Sequence, residues 1–232
     1  MLSIVPTPIG NLADITLRAL EVLKRADMIL CEDTRRTQTL LSHYEIRKPL
    51  LSCHEHSTPQ RLEEILLLLR EGKHLALVSD GGMPLVSDPG FQIVNAVLRE
   101  QLPLEVLPGP SAVTTALVLS GLPTDSFCFF GFLSNKGQKR KHELEVLADR
   151  EETLIFFESP FRVVKTLQDM LEVLGDREAA VTRELTKKFE EALRGNLSAL
   201  IKELIKKPRK GEMVVLVSGK GRKQVLPREV LS

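Results

Sequence analysis

Short apolar runs alternate along the chain with segments whose apolar residues recur every three or four positions, and that alternation predicts an α/β protein built on sheets. In the first half the runs predict strands over 2–6, 28–31, 50–52, 74–79 and 104–107. The intervening periodicity predicts helices over 14–25, 34–43, 59–71, 91–100 and 111–119. Asp14 stands where a carboxylate would cap a helix whose apolar face is Leu17, Leu20, Val22 and Leu23. Thr58-Pro59 sets a capping hydroxyl before a proline at the first helical position. The second half predicts strands over 127–132, 153–157, 179–183, 189–194 and 213–218, and helices over 139–148, 160–174 and 197–206. Two strands in succession around Thr186-Lys187-Lys188 interrupt the strand–helix alternation, so the second sheet is expected to be mixed. The turn-rich Gly121-Leu122-Pro123-Thr124 follows a helix and suggests two domains, 1–121 and 122–232.

Composition narrows the class. The 232 residues are 43% hydrophobic and 27% charged, which suits one large or two modest folded domains and excludes wholesale disorder. Apolar runs such as Ile65 to Leu69 fall far short of the ~20 residues that a membrane-spanning helix needs. The start, Met1-Leu2-Ser3-Ile4-Val5-Pro6, lacks the basic and long apolar regions of a secretory signal, so a cytoplasmic protein is expected. Cys31, Cys53 and Cys128 are too widely spaced for a disulfide framework or a zinc ribbon and read as buried thiols. His54 and His56 sit two apart after a strand, yet no third ligand or Cys with metal spacing other than Cys53 completes a site, so no metal is expected. The net charge of +1 does not by itself suggest a nucleic-acid binder, although basic residues gather at Lys136, Lys139, Arg140 and Lys141 and again between Lys206 and Lys223. With no Trp and a single Tyr, stacking on bases would fall to Phe or Arg, and Phe127, Phe129, Phe130 and Phe132 read as core.

Ligand sites in open α/β sheets form in loops at the carboxyl ends of strands. Four such loops are unusual: Pro6-Thr7-Pro8-Ile9-Gly10-Asn11-Leu12; Ser79-Asp80-Gly81-Gly82-Met83-Pro84-Leu85-Val86-Ser87-Asp88-Pro89-Gly90; Pro108-Gly109-Pro110-Ser111-Ala112; and Glu158-Ser159-Pro160-Phe161-Arg162. The first lacks the glycine spacing and the Lys-Ser/Thr ending of phosphate-binding loops. In the second, adjacent glycines allow close backbone approach to a ligand.

These loops, in this order, resemble the tetrapyrrole-methylase superfamily of S-adenosylmethionine-dependent methyltransferases. With Cys31-Glu32-Asp33-Thr34-Arg35 and Arg183-Glu184-Leu185-Thr186-Lys187 added, the set is similar to the branch that 2′-O-methylates a cytidine of small-subunit ribosomal RNA, over nearly the whole chain. Tetrapyrrole methylases usually carry an acid in the motif where this chain has Met83, which speaks against a porphyrin substrate. The resemblance implies two α/β domains of tetrapyrrole-methylase type with the donor in the cleft between them, a homodimer, and no membrane. It implies a donor pocket lined by Pro8, Gly82, Met83, Pro84, Val86, Ser111 and Ala112. Four motif carboxylates, Asp33, Asp88, Glu158 and Glu184, are then candidate bases for a hydroxyl nucleophile. They could equally be helix caps (Asp33, Asp88) or ion-pair partners of Arg162 and Arg183 (Glu158, Glu184). Phosphate contacts would fall to Arg35, Arg162 and Lys187, and to Lys136, Lys139, Arg140 and Lys141 beside Asn135. Two alternatives stay open: C-methylation of a tetrapyrrole or other small molecule, and donor binding without catalysis.

Overall fold

The computed structural model describes residues 1–53 and 58–221, so His54 and His56 lie outside the described residues. The chain forms two compact units, Met1–Ser111 and the part from Ala112 onward.

The first unit carries a five-stranded parallel sheet of β1 (Leu2–Ile4), β2 (Met28–Cys31), β3 (Leu50–Ser52), β4 (Leu75–Leu77) and β5 (Leu104–Val106), in the order β3-β2-β4-β1-β5. Successive strand residues point to opposite faces, and the core divides accordingly. Ile29, Cys31, Ala76 and Val78 pack with Ala19, Val22 and Leu23 of α1 (Leu17–Arg25) and Leu40 and Leu41 of α2 (Thr34–His43). Leu2, Ile4, Leu30, Leu75 and Leu77 pack on the other face with Ile65, Leu66 and Leu69 of α3 (Pro59–Arg70) and Ile93 and Val97 of α4 (Phe91–Arg99). A sheet covered on both faces leaves its strand ends as the places where backbone meets solvent.

Helix α1 begins three residues later than the sequence predicts. Residues Leu12–Asp14 form a 3₁₀ turn instead, capped by Asn11, whose side chain accepts from the Ala13 amide. The cap of α1 is then Thr16, whose hydroxyl accepts from Ala19 N at 3.1 Å.

The second unit opens with α5 (Ala112–Ser120), which packs on β8 (Glu178–Arg183) and β10 (Met213–Val217). The turn at 121–124 therefore closes this helix, and packing assigns the helix to the second unit. The sheet there has the order β6-β7-β10-β8-β9, with β6 (Phe127–Phe132), β7 (Thr153–Glu158) and β9 (Glu191–Asn196). Only β6–β7 is parallel; the other three pairings are antiparallel, so the sheet is mixed as expected. Helices α6 (Gly137–Leu147), α7 (Val163–Leu174) and α8 (Leu197–Lys206) supply Leu144, Leu167, Met170, Leu200 and Leu204 to one core. As an edge strand with a register shift, β6 buries little: Phe132 is 60% exposed, and Phe127 and Phe130 also face solvent, against the core reading. Strand β9 starts two residues late because Glu184 and Thr186 adopt left-handed backbone and extend the preceding turn.

Among the described residues no helix is long and apolar enough to cross a membrane.

Candidate active site

All five strands of the first sheet run the same way, so their carboxyl ends and the loops after them share one edge. Three loops lock together over β4, β1 and β5. Thr7 and Gly82 exchange two backbone hydrogen bonds, at 3.0 and 2.8 Å, and the Thr7 hydroxyl donates to Ser79 O at 3.0 Å. A Cβ at Gly109 would lie 2.7 Å from Pro6 Cβ, so the loop after β5 must have glycine there to meet the loop after β1. At Gly82 φ is +93°, and a Cβ would come 3.3 Å from Ile9 Cγ2. The missing side chains at 82 and 109 are thus used first for loop-to-loop approach, a different use from the ligand approach read in the sequence.

The floor so formed carries Pro8, Gly82, Met83, Pro84, Val86 and Ser111 on first-unit loops; Ala112 opens the second unit. Gly82 and Pro84 are buried, Met83 packs partly against the core, and Val86 is exposed. Leu85 and Ser87 both hold left-handed backbone, at φ of 71° and 64°, at a cost of about 1–3 kcal/mol each. Strain of that size persists only where its surroundings hold the path fixed. The interlocked loops thus form a fixed backbone floor at this edge of the sheet.

The same loop continues into a cavity of about 450 Å³ over the β3–β2–β4 side of the edge. Ser87, Asp88 and Phe91 line it together with Glu32 after β2, Cys53 after β3 and Arg61 of α3. Burial raises the Asp88 carboxyl to about 6; Ser79, hydrogen-bonded to it, opposes the shift, while the charges of Glu32 and Asp80 add to it. Burial likewise pushes the Cys53 thiol up to about 11, which leaves it an inert wall group at neutral pH.

The other three candidate carboxylates hold fixed partners. Asp33 caps α2 through the Arg35 amide at 2.8 Å and pairs with the exposed Arg35 guanidinium at 2.8 Å, and those bonds hold its pKa well below the usual carboxylate range. Buried Glu158 accepts from Ser159 N at 2.8 Å and Thr166 Oγ1 at 2.5 Å, with Arg162 Nε 3.3 Å away. Glu184 accepts from Glu212 N at 3.0 Å and Lys187 Nζ at 3.1 Å; burial would raise its pKa, but those bonds lower it on balance.

The basic residues divide as sharply. Arg140 is 2% exposed, with Nε 2.7 Å and Nη2 2.5 Å from Asp169 Oδ2 on α7, so it cannot reach a phosphate and is corrected to a structural ion pair. Lys141 is held by both oxygens of Glu172 at 2.6 Å. Arg162 donates to Leu133 O and Asn135 Oδ1, and Lys187 bridges Glu184 and Glu212. Lys136 and Lys139 point into solvent at the start of α6. Sequence reasoning passed over Glu32, Arg61 and Phe91: each reads as an ordinary helix or strand-end residue until strand order makes them neighbours.

Comparison with known proteins fits this geometry. Residues 1–201 match the family described as Tetrapyrrole (Corrin/Porphyrin) Methylases. A Thermotoga maritima protein named ribosomal RNA small subunit methyltransferase I is 50% identical over 94% of this chain and 98% of its own. The Escherichia coli O157:H7 protein of that name is 46% identical over 99% of this chain and 82% of its own. Among solved structures, the methyltransferase CobJ superposes with a TM-score of 0.72 over 97% of both chains at 19% identity. A Thermus thermophilus uroporphyrin-III C-methyl transferase complexed with S-adenyl homocysteine gives 0.65 over 94% of this chain and 97% of its own at 21% identity. At those identities the structures show a shared fold.

Proposed function

The chain belongs to the tetrapyrrole methylases and, within them, to the ribosomal RNA small subunit methyltransferase I family, and we propose that it moves a methyl group from S-adenosylmethionine to the 2′-hydroxyl of a cytidine in small-subunit ribosomal RNA. One observation carries the reading at this site. A single strained loop gives residues 82–86 to the backbone floor and residues 87–91 to the adjoining cavity, so a donor on the floor and an acceptor in the cavity meet at Asp88.

When bound, S-adenosylmethionine supplies an electrophilic methyl on a cationic sulfur. The protein's part is alignment and proton removal. The floor, fixed by the Thr7–Gly82 hydrogen bonds, would hold the donor, and its fixed path would supply the alignment that an in-line displacement demands. The Asp88 carboxylate takes the 2′-hydroxyl proton as the O–C bond forms and the C–S bond breaks. S-adenosylhomocysteine and the ribose ether leave, and Asp88 returns its proton to water. With its pKa near 6, Asp88 is mostly ionised at neutral pH yet more basic than an exposed carboxylate.

Lys136 and Lys139 supply phosphate attraction. The finer parts of the reading, a homodimer acting in the cytoplasm on the small ribosomal subunit, rest on the family resemblance.

Small subunits lacking the modification, incubated with radiolabelled donor and digested with nucleases, test the reading. Label on a cytidine ribose supports it. Label on a base, or incorporation only into an added tetrapyrrole, refutes it.

A further inference from the structure

The cavity beside Asp88 holds more than a proton acceptor. We infer that it takes the base of the target nucleotide, turned out of its stack, with Phe91 as the stacking surface and Glu32 as the acceptor that selects an exocyclic amine. The inference rests on the ribose-methylation reading and adds how the cytosine is chosen.

Phe91 is the first residue of α4, and 70% of it is exposed although it lines the cavity. Exposing a large aromatic at that level costs solvation free energy and contributes little to the core. Unpaired RNA bases are commonly held on such rings. Apolar Ile65 and Leu62 of α3 also line the cavity, so a flat heterocycle can meet apolar surface there and keep polar contacts at its edge. The volume, about 450 Å³, lies within the range of small-molecule sites and admits a nucleoside.

Beside Ser87, Asp88 and Gln92, the polar lining includes two charged side chains of opposite sign. Glu32 follows β2 and presents a carboxylate, an acceptor for the cytosine N4 amine. Arg61, tied to Glu64 through Nη1 at 2.7 Å, brings a cation to the same cavity and so a donor for the O2 and N3 acceptors of the same base. Uracil offers a carbonyl oxygen where cytosine has its amine, and a carboxylate facing that oxygen repels it. The arrangement therefore discriminates by an attractive contact with one base and a repulsive contact with the other.

The test uses the full chain with small subunits that carry either the natural cytidine or a uridine at the target position, and methyl incorporation is read as kcat/KM. Wild type should favour cytidine by about tenfold or more, within the range expected for one well-placed base contact. Glu32→Gln, whose amide can donate or accept, should bring that ratio to within about threefold while donor affinity by calorimetry stays unchanged. Phe91→Ala should raise KM for subunits about tenfold, as loss of one stacking contact predicts, and Phe91→Tyr should restore it. An unchanged cytidine preference in Glu32→Gln, or an unchanged KM in Phe91→Ala, overturns the inference. Failure of wild type to label any subunit removes the parent reading and this inference with it, so the two failures are distinguishable.

Discussion

Replacing Asp88 with Asn should stabilise the protein and disable it at once. The carboxyl rises from 3.8 to about 6 in the folded chain, chiefly by burial, with Glu32 and Asp80 adding repulsion. A rise of about two units corresponds to a ceiling of roughly 3 kcal/mol, since each unit is worth 1.36 kcal/mol. Partial exposure reduces the expected effect to about 1–2 kcal/mol. The sign follows from proton counting. Between about pH 4 and pH 6 the native state binds more protons than the unfolded chain, so wild type loses stability as pH rises through that window and keeps the full penalty above it. Asn is nearly isosteric and carries no charge. Thermal unfolding should therefore show little difference between Asp88→Asn and wild type at pH 4, and a melting temperature about 2–8 °C higher for the variant at pH 8. Methyl transfer should fall ~10²–10⁴-fold, the range for loss of a general base. The wild-type rise of kcat/KM toward a plateau above about pH 6 should be absent from the residual activity. A variant less stable than wild type at pH 8, or within tenfold of its activity, would refute the assignment.

Arg140→Ala should destabilise the second unit by about 3–5 kcal/mol, because it strands Asp169 in a mostly buried site; urea unfolding measures this, and the salt dependence of RNA binding should not change in the fraction that folds. Lys136→Ala with Lys139→Ala should lower the salt slope of subunit binding by about 1.4–1.8, at ~0.7–0.9 per phosphate contact, with donor affinity by calorimetry intact. Gly82→Val should lose both donor affinity and stability, since a β-branched residue meets positive φ and the Ile9 side chain together; calorimetry and thermal melts of the same sample separate the two losses.

What could be read from the sequence depended on distance along the chain. Strand and helix positions follow from local periodicity, so 28–31, 34–43, 50–52 and 197–206 match their observed elements to the residue. Caps were harder, because Asp14 and Thr16 are both good capping residues and only packing chooses between them. The loops proposed to hold the donor announced themselves through glycine and proline at strand ends. The cavity did not, since Glu32, Arg61 and Phe91 are far apart in sequence and meet only when β2 is seated beside β4. Arg140 shows the converse failure: in sequence it belongs to a run of solvated lysines, and only the turn of α6 points it inward to Asp169.

The position of β1 bears on how the protein is made. Leu2 pairs with Leu75 on one side and with Leu104 on the other, so β1 is an interior strand whose two neighbours are the last two strands of its unit to be synthesised. At about 5–20 residues per second, β1 waits roughly 5–20 s for both partners. Parallel pairing over such separations is also intrinsically slow, because the loop must close before any contact forms. During that interval the apolar Leu2, Ile4 and Val5, fully interior in the finished sheet, have no sheet to enter. The nascent chain is thus most open to trapping by chaperones or by aggregation before Leu104 is in place.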